Sequence, residues 1–173
     1  MNISNYLEEV LIQHTLGIAA YTPSDVYAAL LNEIQEDGTD PIEPSGGGYA
    51  RVQILPAQLT APSSGSTETN VDLLWPVALT EWGTIKYIGL YSASINGNLL
   101  WWSELPKQKA ISIGVVYKIY AGNLIASATG AFSAYLRDAV LDLTLRNSAY
   151  ASPADVWVGI GVANGTDYSS FSE

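Results

Sequence analysis

Between Ser4 and Gly17 the apolar and near-apolar residues Leu7, Val10, Leu11 and His14 recur on one stripe, with Glu8 and Glu9 off it. That spacing predicts an amphipathic helix, with Ser4 placed to cap its N-terminus and Gly17 and Pro23 placed to close the region. From Asp25 the period changes. Asp25–Leu31, Tyr49–Leu55, Val71–Trp75, Thr84–Ser92, Asn98–Glu104, Ala110–Tyr120 and Asn123–Ser127 read as short β-runs rich in Val, Ile, Tyr and Leu. The polar segments Gln35–Gly48 and Pro62–Thr69 read as loops. Asn96-Gly97 is the strongest hairpin signal, because both central residues must tolerate positive φ. One helix followed by strands at this spacing predicts a mainly β fold: an antiparallel β-sandwich, with a jelly-roll as one of its forms.

The opening pattern then returns. Ser4–Tyr27 (SNYLEEVLIQHTLGIAAYTPSDVY) is echoed by Ser133–Trp157 (SAYLRDAVLDLTLRNSAYASPADVW). With one extra residue before Pro153, identities fall at Ser4/Ser133, Tyr6/Tyr135, Leu7/Leu136, Thr15/Thr144, Leu16/Leu145, Ala20/Ala149, Tyr21/Tyr150, Pro23/Pro153, Asp25/Asp155 and Val26/Val156. Gly-Thr-Asp follows in both, at Gly38–Asp40 and Gly165–Asp167. This is an internal duplication. It divides the chain into a β-sandwich domain with an N-terminal helix (1–127), a linker (128–132) and a partial second repeat of helix and strand (133–173). The second copy reaches Glu173 without strands to pair with its own. A lone helix and strand cannot bury their apolar faces or satisfy the strand's backbone groups. Three outcomes are open: it packs on its own first domain, a neighbouring chain completes it, or the protein continues. If the last two hold, deleting 133–173 leaves the first domain folded and weakens assembly.

Composition narrows the chemistry. The 173 residues are 48% hydrophobic, enough for one full core. No apolar run approaches the roughly 18 residues that span a bilayer. The start MNISNYLEEV lacks the basic and apolar regions of a secretory signal, so synthesis in a cytoplasm and no membrane partner are expected. There is no cysteine and a single histidine, which excludes disulfides, thiolate sites and a multi-histidine zinc centre within one chain. The charge of −10, with 7 Lys+Arg against 17 Asp+Glu and no basic run, leaves no positive face for phosphates, so nucleic acid is not an expected partner.

Each residue set that suggests chemistry has a plainer reading. A Ser-His-Asp mechanism would have to use His14, whose repeat equivalent is Leu143 on the apolar stripe, so His14 reads as a core or boundary residue. Ser45–Arg51 (SGGGYAR) resembles a phosphate loop, but Tyr-Ala-Arg and a strand follow where Lys, Ser/Thr and a helix are needed. Glu33, Glu36, Asp37, Asp40 and Glu43 lack EF-hand spacing and read as a solvated acidic loop. Asp25 and Asp155 read as turn-stabilising residues. Trp101 and Trp102 are adjacent on a strand and face opposite sides, so at most one can be outside. Catalytic, metal and cofactor-binding residues are therefore expected to be absent. The candidates for contact with an interface or a glycan are aromatic: Trp101, Trp102, Tyr150, Trp157 and Phe171.

The ordered set Ala20-Tyr21-Thr22-Pro23, Ser45–Arg51, Trp82-Gly83-Thr84-Ile85, Ile88-Gly89-Leu90-Tyr91, Gly97–Trp101 and Ala121–Leu124 resembles the small tail-fibre or virion structural domain of tailed bacteriophages. The likeness runs over residues 2–127 and the opening of a second copy from 133. It implies a β-rich domain without cofactor, on the exterior of a phage particle, whose partners are itself and other virion proteins. The trimer enters as a stoichiometry by analogy with fibres. Non-enzymatic tail-fibre or fibre-attachment work through self-association and docking is the leading expectation. A capsid head decoration protein and a carbohydrate-binding module for host surface glycan are the alternatives.

Overall fold

A computed structural model of the chain describes residues 1–128, 133–151 and 153–156, and the backbone of 162–163 and 171–172. The elements run β1 (Asn2–Ile3), α1 (Asn5–Thr15), β2 (Val26–Leu31), β3 (Val52–Ile54), β4 (Ser66–Glu68), β5 (Leu73–Val77), β6 (Gly83–Tyr91), β7 (Leu99–Ile111), β8 (Val116–Ile119), β9 (Ile125–Ser127), α2 (Ala134–Leu145), β10 (Val162–Ala163) and β11 (Phe171–Ser172). A five-stranded antiparallel sheet in the order β1-β7-β6-β2-β3 forms one layer. Two antiparallel ribbons, β4-β9 and β5-β8, lie opposite, and β10 pairs with β11. The mainly β, antiparallel expectation holds, with the second layer split into ribbons. Among the described residues no helix is long and apolar enough to cross a membrane.

The large sheet is covered on both faces. Val26, Ala28 and Leu30 of β2 join the main core with Leu73 and Trp75 of β5, Ile119 of β8 and both helices. Ala29 and Leu31 point the other way, into a smaller cluster with Tyr91, Leu99 and Trp102. A strand buried on both sides reads as an unbroken apolar run, which is why β2 is VYAALL and does not alternate. Asn96 and Gly97 both take positive φ at the tip of the β6–β7 hairpin. β7 runs through Pro106. Ile85 pairs with Lys109 and Tyr87 with Glu104, so Leu105–Gln108 bulge out opposite Lys86 alone. A bulge is where a strand tolerates a residue with no N–H to donate.

The two repeat helices are built alike. Ser4 Oγ accepts the Leu7 N–H and Ser133 Oγ the Leu136 N–H, both at 3.2 Å. Thr15 and Thr144 each donate their hydroxyl back one turn, to the Leu11 and Val140 carbonyls, both at 2.8 Å. Leu11 and His14 of α1, and their equivalents Val140 and Leu143 of α2, are all buried. Of the three outcomes open to the second copy, α2 takes the first. Val140, Leu141, Leu143 and Leu145 sit in the main core of their own chain, none more than 1% exposed. The Asp138 carboxylate accepts the Gly65 N–H at 2.6 Å, tying α2 to the turn before β4. The strand expected from Trp157 onward lies outside the described residues.

Candidate functional site

The glycine motif builds a clamp. Gly46, Gly47 and Gly48 all have positive φ. A Cβ on Gly47 would fall 1.9 Å from Thr80 Oγ1, so only glycine fits there. The Gly47 carbonyl accepts the Leu79 N–H at 2.8 Å and the Trp82 indole N–H at 3.3 Å. Tyr49 follows, its ring edge-on to Trp82 at 5.3 Å. Its hydroxyl accepts the Leu30 N–H and donates to Glu43, both at 2.9 Å. Burial, and then the neighbouring Glu43 charge, push the Tyr49 phenol up.

Arg51 closes the clamp. Its Nη2 meets Glu43 Oε1 at 2.6 Å, and Nη1 donates to the Ala93 and Asn96 carbonyls at 2.7 and 2.6 Å. The guanidinium carbon lies 3.5 Å from the centre of the Tyr91 ring, in a cation–π contact. Tyr91 is pushed up to about 12 by burial and by Glu43, with Arg51 opposing. Every donor group of Arg51 is spent on structure, and the glycines precede a strand. The arrangement pins the hairpin tip to the sheet and leaves no cradle for an anion.

His14 is likewise engaged. Nδ1 accepts the Tyr21 N–H at 3.0 Å, so the other nitrogen, Nε2, is the one that donates, to the Tyr150 carbonyl at 2.8 Å. The ring is 2% exposed and joins α1 to the segment after α2. Among the described residues no group of His, Asp and Glu side chains could hold a metal ion.

The sequence-chosen aromatics fall as follows. Trp101 is fully buried in the main core and Trp102, 7% exposed, fills the opposite cluster. The opposite-face reading is right, but neither ring is outside. Polar hairpin 33–42, bridged at Glu33 and Ile42, folds over the second face, and Gly38 lies against the Trp102 indole. Neither indole is open to stack on a sugar. Tyr150 is half-buried, edge-on to His14 at 5.5 Å and to Tyr135 at 6.3 Å. Trp157 lies outside the described residues. Phe171 pairs with Ala163 in β11, and its side chain lies outside them too. Among the described residues the exposed aromatics are tyrosines: Tyr135 at 72%, Tyr120 at 60% and Tyr6 at 40%. Tyr6 and Tyr135 occupy the same repeat position, off the helix stripe, which was the signal available.

Two grooves flank the short edge strand β1. One, of about 530 Å³, lies between the β7 bulge and the β8–β9 turn; Leu105, Tyr117, Ile119 and Leu124 give it an apolar lining, and Lys107, Lys118 and Glu104 are its charged residues. The other, of about 550 Å³, is lined by Asn2, Asn5, Glu8, Glu36, Asp37 and Trp102 among others. Met1 lines both. Lys118 pairs with Asp72 at 2.5 Å, a contact that raises the lysine and lowers the carboxylate.

Residues 2–127 match the family described as Podophage GP4 fiber I protein gp80. The chain belongs to that family. Among curated proteins none matches it. Membership supports a structural role in a phage tail fibre, and with it a place on the virion. Part of the ordered set that carried the resemblance builds the clamp: in this Gp80-family chain Gly47, Tyr49, Arg51, Trp82 and Tyr91 converge on one network, although they are distant in sequence. The match stops at residue 127. The core does not, because α2 is part of it.

Proposed function

We propose that the chain is a non-enzymatic structural component of a podophage tail fibre or of its attachment region, and that it works by associating with itself and docking on other virion proteins. The observation that carries this reading is the family match over residues 2–127. The fate of the chemical candidates supports it: His14, Arg51 and Glu43 are all tied into the fold. The surface supports it too, with Leu74, Val77 and Val116 exposed side by side on the outer face of the β5-β8 ribbon. A protein that acts by contact needs a rigid interior and apolar area outside, of order 800 Å² per partner.

The test is to tag the chain in the phage, purify particles on a gradient and locate the tag by electron microscopy. The reading predicts label on the fibres or where they join the tail. Label confined to the head, or none on mature particles, overturns it.

A further inference from the structure

α1 and α2 are repeats of one another, yet they bury different shares of the same pattern. Both turn a first stripe inward, Leu11 and His14 on α1 and Val140 and Leu143 on α2. α2 also uses a second. Asp138, Leu141, Thr144 and Leu145 recur at helical spacing on one face, and all four are used against the sandwich. The Asp138 carboxylate holds the Gly65 N–H, the Thr144 hydroxyl accepts the Trp101 indole N–H, and Leu141 and Leu145 lie in the main core, no more than 1% exposed. The repeat equivalents on α1 are Glu9, Ile12, Thr15 and Leu16. The pattern is kept there: acid for acid, Ile for Leu, with Thr and Leu unchanged. On α1 it faces out. Glu9 is exposed, Ile12 and Leu16 are 55% and 50% exposed, and Thr15 is half-buried. The Thr15 hydroxyl donates to the Leu11 carbonyl as Thr144 does to Val140, so its lone pairs are placed to accept an incoming N–H.

The family match supplies the occupant for this face. It covers residues 2–127, a unit that holds α1 and the sheets but not α2. In this chain the cleft of that unit, between Trp101 and the Gly65 turn, is filled by the first helix of the next repeat. We propose that α1 docks in the same way: its Glu9, Ile12, Thr15 and Leu16 face seats in the corresponding cleft of another Gp80-type unit, on a neighbouring fibre chain that leaves that cleft unfilled. This deepens the docking on virion proteins proposed above and rests on that reading. A second copy of this chain is not the partner, because its own α2 occupies the cleft. A helix face that enters a different surface on its partner makes a heterologous contact, the kind that strings units head to tail. Such a string suits a fibre.

Two measurements on the full chain test this. In the first, phage carry the tagged chain with a photo-cross-linking residue at position 12, and irradiated particles are digested for mass spectrometry. Cross-links should run to a Gp80-type sequence, at positions that align with Trp101 or the Gly65 turn. The Ile12→Lys/Leu16→Lys variant should be lost from particles while keeping the wild-type melting temperature, because both side chains are exposed and lysine suits the end of a helix. Cross-links to an unrelated protein or to another surface, or a variant that assembles at the wild-type level, overturn the proposal and leave the virion assignment intact.

The second needs no particle. Leu141→Ala/Leu145→Ala loosens α2 in its cleft, and a synthetic peptide of residues 4–21 is added in increasing amounts. The peptide should raise the denaturation midpoint of this variant, or restore its folding if that is lost, by binding the native cleft. The same peptide carrying Ile12→Lys and Leu16→Lys should not. A midpoint unmoved by the first peptide, or moved equally by both, overturns the proposal. A rise with the first peptide alone, and no label on particles, upholds the fit of helix and cleft and sinks the virion assignment.

Discussion

The Trp101 indole N–H donates to the Thr144 hydroxyl across 3.3 Å, joining the start of β7 to the last turn of the repeat's second helix. Both residues are essentially fully buried. The hydroxyl in turn donates to the Val140 carbonyl, so it satisfies the indole and its own proton together. Thr144→Val keeps the shape and strands the indole N–H, which should cost about 1–3 kcal/mol. Thr144→Ser should recover most of that. Chemical denaturation of the two variants against wild type checks the pair.

The helices share one core, so truncating a fully buried leucine on either should cost alike. Leu7 and Leu141 are both fully buried, and replacing either with Ala is expected to destabilise by about 2–5 kcal/mol. It follows that a chain ending at Ala128 exposes the surface that Val140, Leu141, Leu143 and Leu145 cover. The expectation that residues 133–173 could be removed with the first domain left intact is therefore replaced by its reverse. The truncated chain should unfold at lower denaturant and bind hydrophobic dyes, and a wild-type midpoint would contradict this.

The clamp predicts a contrast between adjacent glycines. Gly46→Ala meets nothing within 4 Å and carries only the strain of its positive φ. Gly47→Ala carries the same strain and also drives a methyl into Thr80. Gly47→Ala should lower the melting temperature clearly more than Gly46→Ala, and equal shifts would remove the close-packing reason for the motif.

Tyr91 makes the stability sensitive to alkali. Its phenol titrates at about 12 in the folded chain against an ordinary 10.0. A raised folded value means that the stability linked to this proton is intact below pH 10.0 and is lost as pH climbs through about 12. Stability measured against pH should fall across that window, and Tyr91→Phe should flatten the fall. An unchanged slope in the variant would mean that Tyr91 is not the group responsible.

Periodicity carried the long elements: α1, its repeat α2, β2, β6 and the Asn96-Gly97 turn were readable because each spans enough residues to show a pattern or uses a turn with special φ. β1 and β4 were not, since two or three residues have no period and exist through their partners, Trp101 and Trp102 for one and β9 for the other. Pro106 split β7 in the sequence because a proline argues against a central strand, while the chain places it in a bulge. Alternation put Trp101 and Trp102 on opposite faces. It could not show that polar hairpin 33–42 would cover the second face, because that contact is made by Gly38 and Ile34 and by no apolar run. The groove beside the β7 bulge was invisible for a similar reason: Lys107 and Lys118 come together only when β7 and β8 fold.

The account rests above all on α2 being a permanent part of the fold that the family match covers. Native-state hydrogen exchange reads this directly, amide by amide. The amides of Val140, Leu141 and Leu143 should exchange with the same opening free energy as those of β6 and β7, near the global value. If they exchange freely while the sheet stays protected, the second helix is a detachable appendage, and the shared core is contradicted.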